Sequence, residues 1–295
     1  MNSFVRSISL LLNWAVARNA PERMCCPSCS GEPSAVIDRR FLFLTLAKCK
    51  KCNLLYRQPT DDPHSLERYY EEEYHEQKIT DIPGHDELTR LVEDKFSKSF
   101  NCSNSISLIR HLTGSGTFKV LDFGCSWGYA SWQIRRSGFD VDGFEIGRTR
   151  AEFARKWLEI PIYSKLEDIC GPYDVIYSSH VFEHVPALSS LVERLSESLS
   201  PGGFFISLTP NGDPAAQKQN FRLWHKLWGR RHPIYLTCEY WYNQFPNWKK
   251  IAFSRATFSG EFHFPLSTIP SKHFVDTKQL SLSGEELVFI AQKPK

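Results

Sequence analysis

The chain has 295 residues, 41% of them hydrophobic and 14% aromatic, enough to bury a full core as one main domain with additions. Its formal net charge of +3 is too mild for long-range attraction to carry nucleic-acid binding, so partners have to be argued locally. Nine cysteines in a chain this long, four of them in two C-x-x-C pairs, point to metal binding in a reducing, cytoplasmic setting rather than to a disulfide framework. At the amino terminus Arg6 precedes an apolar run, Ile8 to Ala17, that has the outline of a signal peptide. Asn13 and Trp14 interrupt the run, and it is too short to span a bilayer. Residues 1–24 therefore read as a helix that packs on the domain or makes peripheral contact with a membrane surface, and no other segment approaches transmembrane length.

Residues 25–60 form the next unit. Cys26-Pro27-Ser28-Cys29 and Cys49-Lys50-Lys51-Cys52 are separated by 19 residues, a span suited to a zinc ribbon whose hairpin gathers four thiolates into a tetrahedron. Between them Ala35 to Ala47 is rich in Val, Ile, Phe, Leu and Thr, as expected of two short strands around a turn at Asp38-Arg39-Arg40. So short a segment has too little core without a metal. A closed site of Cys26, Cys29, Cys49 and Cys52 has no open position, which makes the zinc structural; Cys25 is a spare neighbour.

Residues 61–115 read as a helical lead-in. Tyr69 to Glu76 is acidic and aromatic, Asp81-Ile82-Pro83-Gly84-His85 is a turn, and helices are expected over Asp86 to Phe100 and Ser105 to Leu112. The most informative stretch follows, Val120-Leu121-Asp122-Phe123-Gly124-Cys125-Ser126-Trp127-Gly128. An apolar run that breaks into two glycines bends sharply and brings backbone close to a ligand before a helix begins near Tyr129. Glu145, 21 residues after Gly124, ends a second apolar run, where a doubly wound sheet presents a carboxylate to a ribose diol. Tyr173 to Ser178 then reads as a buried strand, Ala187 to Leu199 as an amphipathic helix, and Phe204 to Leu208 as the next strand. Phe258 to Phe264 and Glu286 to Ala291 read as two closing antiparallel strands.

These residues resemble the class I S-adenosylmethionine-dependent methyltransferases: the loop LDFGCSWG, the acid Glu145, the segment YDVIYSSHVFEHV and the entry LSPGGFFISLTPNG. The resemblance is strong from Thr117 to Gly212 and weaker over Gly284 to Ala291. It departs at Ser126-Trp127, where many members carry a glycine. It implies a Rossmann-like, doubly wound seven-stranded α/β sheet over residues 116–295, the cofactor S-adenosyl-L-methionine, and leading helices that cover its pocket. Asp122, Gly124, Cys125 and Gly128 would shape the site for the amino-acid portion, Glu145 would take the ribose hydroxyls, and Leu166 and Glu167 would lie beside the adenine. The run from Cys49 to Pro59, followed by Leu66 to Tyr74, resembles the region preceding many bacterial zinc-ribbon methyltransferases of sugar and polysaccharide pathways, which narrows the subfamily to small-molecule or glycoconjugate acceptors.

His180-Val181-Phe182-Glu183-His184 follows the fourth strand of that pattern, where open α/β sheets place substrates. An imidazole titrates near neutrality, so His180, with His184 beside it, is the first candidate for a catalytic base. An alternative is that His180, Glu183 and His184 bind a divalent ion, as a similar acidic cluster does in some quinone-precursor O-methyltransferases. Residues 211–250 read as a substrate-lid insertion: Phe221, Trp224, Leu227 and Trp228 recur at helical spacing beside the basic Arg222, Lys226 and Arg230. The competing functions are an RNA methyltransferase gripping phosphates with the Arg222 to Arg231 stripe, and a non-catalytic scaffold of methyltransferase fold.

Overall fold

The computed structural model describes residues 20–41, 43–61, 81–229, 232–255 and 281–295. The amino-terminal apolar run, Tyr69 to Glu76, Arg230, Arg231 and the strand expected at Phe258 to Phe264 lie outside the described residues. Among the described residues no helix is long and apolar enough to cross a membrane.

A seven-stranded sheet forms the centre. Its strands are β4 (Lys119–Phe123), β5 (Asp140–Phe144), β6 (Ile162–Tyr163), β7 (Tyr173–Ser179), β8 (Leu199–Pro210), β10 (Lys249–Arg255) and β11 (Glu286–Gln292). They lie in the order β10-β11-β8-β7-β4-β5-β6, parallel from β8 to β6, with β11 antiparallel to both β8 and β10. This is the Rossmann-like doubly wound α/β sheet that the sequence implies. The central strands are apolar on both faces because helices cover both. Strand order reverses between β4 and β7, so a crevice opens at the carboxyl end of β4.

The strand that pairs with Glu286–Gln292 is Lys249–Arg255, in a region the sequence reading gave to the insertion's edge. Its pattern Lys249-Lys250-Ile251-Ala252-Phe253 has only a short apolar run, which hid it behind the aromatic segment before it. The two lead-in helices are α1 (His85–Glu93) and α2 (Ser103–Thr113). The first stops well short of Phe100, because Lys95, Phe96 and Phe100 all take left-handed backbone. Helices α3 (Tyr129–Arg136), α4 (Arg148–Trp157) and α5 (Leu188–Glu197) alternate with the parallel strands.

The amino-terminal unit is a second sheet, β1 (Pro33–Arg40), β2 (Leu44–Cys49) and β3 (Leu55–Gln58), joined by β9 (Ile234–Tyr235) in the order β1-β2-β3-β9. The hairpin turn falls after Arg40, so Asp38-Arg39-Arg40 lies inside β1 rather than at the turn. Asp38 is held there by partners from the insertion: Trp228 Nε1 donates to its Oδ2 at 2.8 Å and His225 Nδ1 stands 2.6 Å from the same oxygen. The insertion carries α6 (Pro214–Gln219), α7 (Phe221–Leu227) and α8 (Cys238–Gln244). Its aromatic face does not roof the crevice. Trp224 and Trp228 are buried with Leu44, Leu46, Leu55 and Tyr235 against the small sheet. A boundary at residue 60 therefore cuts through a continuous structure, since the insertion supplies its fourth strand.

Candidate functional site

The four cysteines of the amino-terminal sheet converge. Sγ of Cys26 lies 3.6 Å from that of Cys52, and Cys29 Sγ lies 3.5 Å from Cys49 and 3.4 Å from Cys52. Those separations exceed a disulfide bond of ~2 Å. They approach the ~3.8 Å edge of a tetrahedron of sulfurs with bonds of ~2.3 Å to a central zinc. Gly31 makes room: a Cβ there would lie 2.8 Å from Cys49 Sγ. The donor set therefore fits structural zinc.

The crevice is built where β4 runs into its loop. Gly124 and Gly128 have φ of 82° and 87°, left-handed backbone that other side chains resist. A Cβ on Gly124 would also fall 2.2 Å from Val181 Cγ2. Ser126 adopts φ 52°, so it holds the backbone that glycine supplies in related loops. Trp127 departs for a different reason. It is buried, with Phe100 and Tyr129 at 5.2 Å and Phe96 and Phe153 at 6.1 Å between ring centroids. The indole is thus the anchor that fixes the lead-in segment over the loop.

The amides of the loop are spent internally. Gly124 and Cys125 N–H both donate to Phe144 O, Gly128 N–H donates to Cys125 O, and Ser126 N–H donates to Glu145 Oε2 at 3.0 Å. Such a loop does not cradle a pyrophosphate as a dinucleotide site does. Glu145 also accepts from Gly147 N–H at 2.6 Å, and its residue exposure is 8%. Burial pushes its carboxyl up, while Gly147, Arg150 and Ser126 oppose that shift. Two backbone donors leave each carboxylate oxygen a further lone pair, which suits a diol. Two of the few exposed large apolar residues lie close along the chain: Ile146, the next residue, at 53%, and Leu166, at 36%, three residues after Tyr163, whose carbonyl accepts from Glu145 N–H. Leu166 and Glu167 lie in a 3-10 turn after β6, with Glu167 exposed.

Two expected residues sit inside the fold. Asp122 is buried and accepts from Ser131 Oγ at 2.6 Å; burial raises its pKa to about 6 despite that bond. Cys125 turns its thiol inward, 2.7 Å from where a Cβ on Gly143 would be. Its side chain therefore belongs to packing, and the expectation that it contacts cofactor narrows to its backbone.

His180 follows β7 with φ 56°, tied down by its N–H to Leu208 O at 2.8 Å. Its Nε2 lies 2.7 Å from Glu286 Oε1 and its Nδ1 3.3 Å from Glu183 Oε1, while 48% of the side chain stays exposed. Desolvation works against a charged ring, but the two carboxylates outweigh it and raise the pKa to about 10. Glu183 is itself desolvated, yet His180 and His184 hold it down to about 2. An imidazolium hydrogen-bonded through Nε2 to Glu286 and ion-paired with Glu183 has no lone pair to accept a proton. The base role expected for His180 does not fit this arrangement. His184, also expected to be catalytic, is buried with its ring 4.9 Å from that of His232.

The sequence reading missed Glu286, Arg255 and His232. Arg255 Nε donates to Glu286 Oε2, completing a chain of alternating charges across β10, β11 and the loop after β7. The available signal was a buried acid opening an otherwise apolar strand. The metal alternative also changes membership: Glu183, His184 and His232 bring one ligand atom each within 4.8 Å of one another, whereas His180 is engaged by carboxylates.

Comparison with known proteins identifies the family. A family model described as a methyltransferase domain matches residues 70–247. The ubiquinone biosynthesis O-methyltransferase of Acinetobacter baylyi is 29% identical over 115 residues, covering 35% of this chain and 48% of that protein. Its counterpart in Psychrobacter cryohalolentis is 30% identical over 108 residues, covering 32% and 42%. The chain thus spans about half the length of the curated relatives it matches. Among solved structures, the plantazolicin methyltransferase BpumL in complex with SAH is 15% identical, covering 78% of this chain and 94% of that one, with a TM-score of 0.49. The N-methyltransferase NodS of Bradyrhizobium japonicum is 12% identical, covering 79% and 98%, with a TM-score of 0.45.

Proposed function

The chain belongs to the methyltransferase-domain family, and from that premise we propose that it is an S-adenosylmethionine-dependent methyltransferase acting on a small molecule or glycoconjugate. The observation that carries the reading is Glu145: a buried carboxylate at the carboxyl end of β5, beside the β4 crevice, held by two backbone N–H groups, with exposed Ile146 next in sequence and exposed Leu166 just after the neighbouring β6. A carboxylate fits a ribose diol, and two apolar side chains beside it fit a planar purine. The relatives named as O-methyltransferases of ubiquinone biosynthesis support a small-molecule acceptor.

When bound, the cofactor supplies an electrophilic methyl on a sulfonium. The chain's own work is to place an acceptor in line with it. In this reading Gly124 and Gly128 keep the loop close to β5, and Asp122 fixes the start of α3 through Ser131. His180 is a positioning residue: its clamp between Glu183 and Glu286 fixes the loop that leaves β7 at the crevice. A hydroxyl acceptor then needs its base from elsewhere, whereas a neutral amine or a carbon nucleophile needs none before attack. Transfer of labelled methyl from S-adenosylmethionine to a panel of sugars, glycolipids, phenols and amines tests the proposal. Incorporation into one chemical class that is lost in Glu145→Ala supports it; protein that binds S-adenosylhomocysteine yet labels only RNA overturns the acceptor assignment.

A further inference from the structure

Six large apolar side chains are exposed among the described residues: Ile146, Leu166, Trp157, Val36, Phe41 and Phe221. The first two belong to the loops after β5 and β6 near Glu145, and Trp157 caps α4 against His85 at 5.5 Å. The other three lie on the composite unit made by the small sheet and the insertion, far along the chain from one another, and the proposed function does not use them.

Phe41 is the most exposed of the six, at 63%, and sits at the tip of the β1–β2 hairpin. Its φ of 52° is costly for a bulky residue, and the turn holds it while the ring stacks on Phe43, 6.2 Å away. Phe221, 54% exposed, opens α7 one helical turn before His225, whose Nδ1 meets Asp38 on β1. A β-bulge between Val36 and Asp38 leaves Asp38 and Arg40 on the face of β1 shared with Leu46 and Leu44, against which α7 packs, and turns Val36 and Arg39 to the other face. The guanidinium of Arg40 lies 5.3 Å from the Phe41 ring centroid and 5.6 Å from that of Trp228, joining the hairpin tip to the insertion.

The charge on the segment from α6 to the start of α8 has one sign. From Pro214 to Cys238 the sequence carries Lys218, Arg222, Lys226, Arg230 and Arg231 and no Asp or Glu. Lys218, Arg222 and Lys226 are exposed, as is Arg39 beside the hairpin tip. The one acid on the adjoining strand, Asp38, is engaged by His225 and Trp228. Against a whole-chain net charge of +3, the positive charge is concentrated here.

We propose that this basic, aromatic face is a docking surface for an anionic lipid bilayer, with Phe41 and Phe221 entering the interface and Arg222 and Lys226 facing the headgroups. Apolar rings without hydrogen-bonding atoms, exposed at a hairpin turn and a helix start beside exposed cations, match the boundary between headgroups and acyl chains. A single-stranded nucleic acid needs the same cations but a groove that tracks its backbone, and these rings sit on a turn and at a helix start. The proposal is independent of methyl transfer: a membrane-held enzyme and a membrane-held scaffold would use the same face.

Flotation of the full-length, zinc-loaded protein with vesicles of phosphatidylcholine alone, or containing phosphatidylglycerol, tests it. Binding is expected only to the anionic vesicles, weakened at least ten-fold by Phe41→Ser with Phe221→Ser, and likewise by Arg222→Glu with Lys226→Glu. Unchanged binding of S-adenosylhomocysteine shows that the variants fold. Absence of vesicle binding overturns the proposal, as does binding that both double variants retain, which assigns it to another segment. Tight, salt-sensitive binding of single-stranded RNA that the Arg222 and Lys226 changes abolish, without vesicle binding, reassigns the face to nucleic acid.

Discussion

The seven-stranded sheet and the zinc-site sheet hold themselves together by different means. The large sheet buries apolar strands on both faces, with β4, β7, β8 and β11 almost wholly inaccessible. The small sheet cannot: β1 is exposed or half-exposed along its length, and its core is borrowed on both sides. One side shares a continuous cluster with the large sheet, in which Cys26, Ala47, Cys49, Leu54 and Tyr56 pack with Phe123, Phe182, Trp241 and Phe289. The other side is covered by Trp224 and Trp228 of the insertion. A small metal unit read from its cysteines as an appendage is thus an integral wall, and metal loss reaches the cofactor domain through the shared cluster.

The largest test of that contrast is removal of the metal. Structural zinc contributes on the order of 10 kcal/mol to a small domain at neutral pH. Elemental analysis is expected to give one zinc per chain, and Cys49→Ser or chelation is expected to collapse the amino-terminal sheet and lower the melting temperature of the whole chain. A chelated protein with unchanged melting would show that the shared cluster stands without the ribbon.

Trp127→Ala breaks the large domain's own contact between the glycine loop and its lead-in. Deleting so large a buried side chain costs ~3–5 kcal/mol, read by urea unfolding, and weakens cofactor binding because the cover loosens. Asp38→Ala is the next step down. It strands Trp228 Nε1, a buried donor, at a cost of ~1–3 kcal/mol, with the loss confined to the seam between β1 and α7.

A test of charge rather than of packing is Glu286→Gln, which leaves His180 and Arg255 short of a buried counter-charge. His180 has a folded-state pKa of about 10, above its unfolded value of ~6.5. Its charge therefore stabilises the protein fully below pH ~6.5 and ceases to as pH rises through 10. Glu183, held at about 2, contributes above its ordinary value of 4.5 and stops as pH falls through 2. Removing one carboxylate should move the imidazole titration of His180, followed by NMR, toward neutrality and flatten the loss of stability between pH 7 and 10. A titration that does not move would mean that Glu286 leaves the ring's charge unaffected.

The sequence made the large sheet legible because glycines, alternation of element types and an acid at the end of an apolar run are local signals. Gly124, Gly128 and Glu145 occupy the crevice, and the four cysteines converge as their spacing requires. What it hid is non-local. The pairing of β9 with β3 joins residues about 180 positions apart in a bridge only two residues long, too short to carry periodicity. The strand Lys249–Arg255 that pairs with the last one was missed because Lys249 and Lys250 obscure its start. His180 was legible as a residue facing the crevice and illegible as a base, since its protonation depends on Glu286, more than a hundred residues downstream.

The central claim is that the crevice at Gly124 and Glu145 binds an S-adenosyl cofactor, and calorimetric titration of zinc-loaded protein with S-adenosylhomocysteine tests it most directly. The account predicts micromolar binding by wild type and a loss of ~100-fold in Glu145→Ala, as expected for charge-assisted hydrogen bonds worth about 3 kcal/mol, with Gly124→Val abolishing it. Folded wild-type protein that binds no S-adenosylhomocysteine, or an alanine variant that binds as tightly as wild type, would contradict the claim.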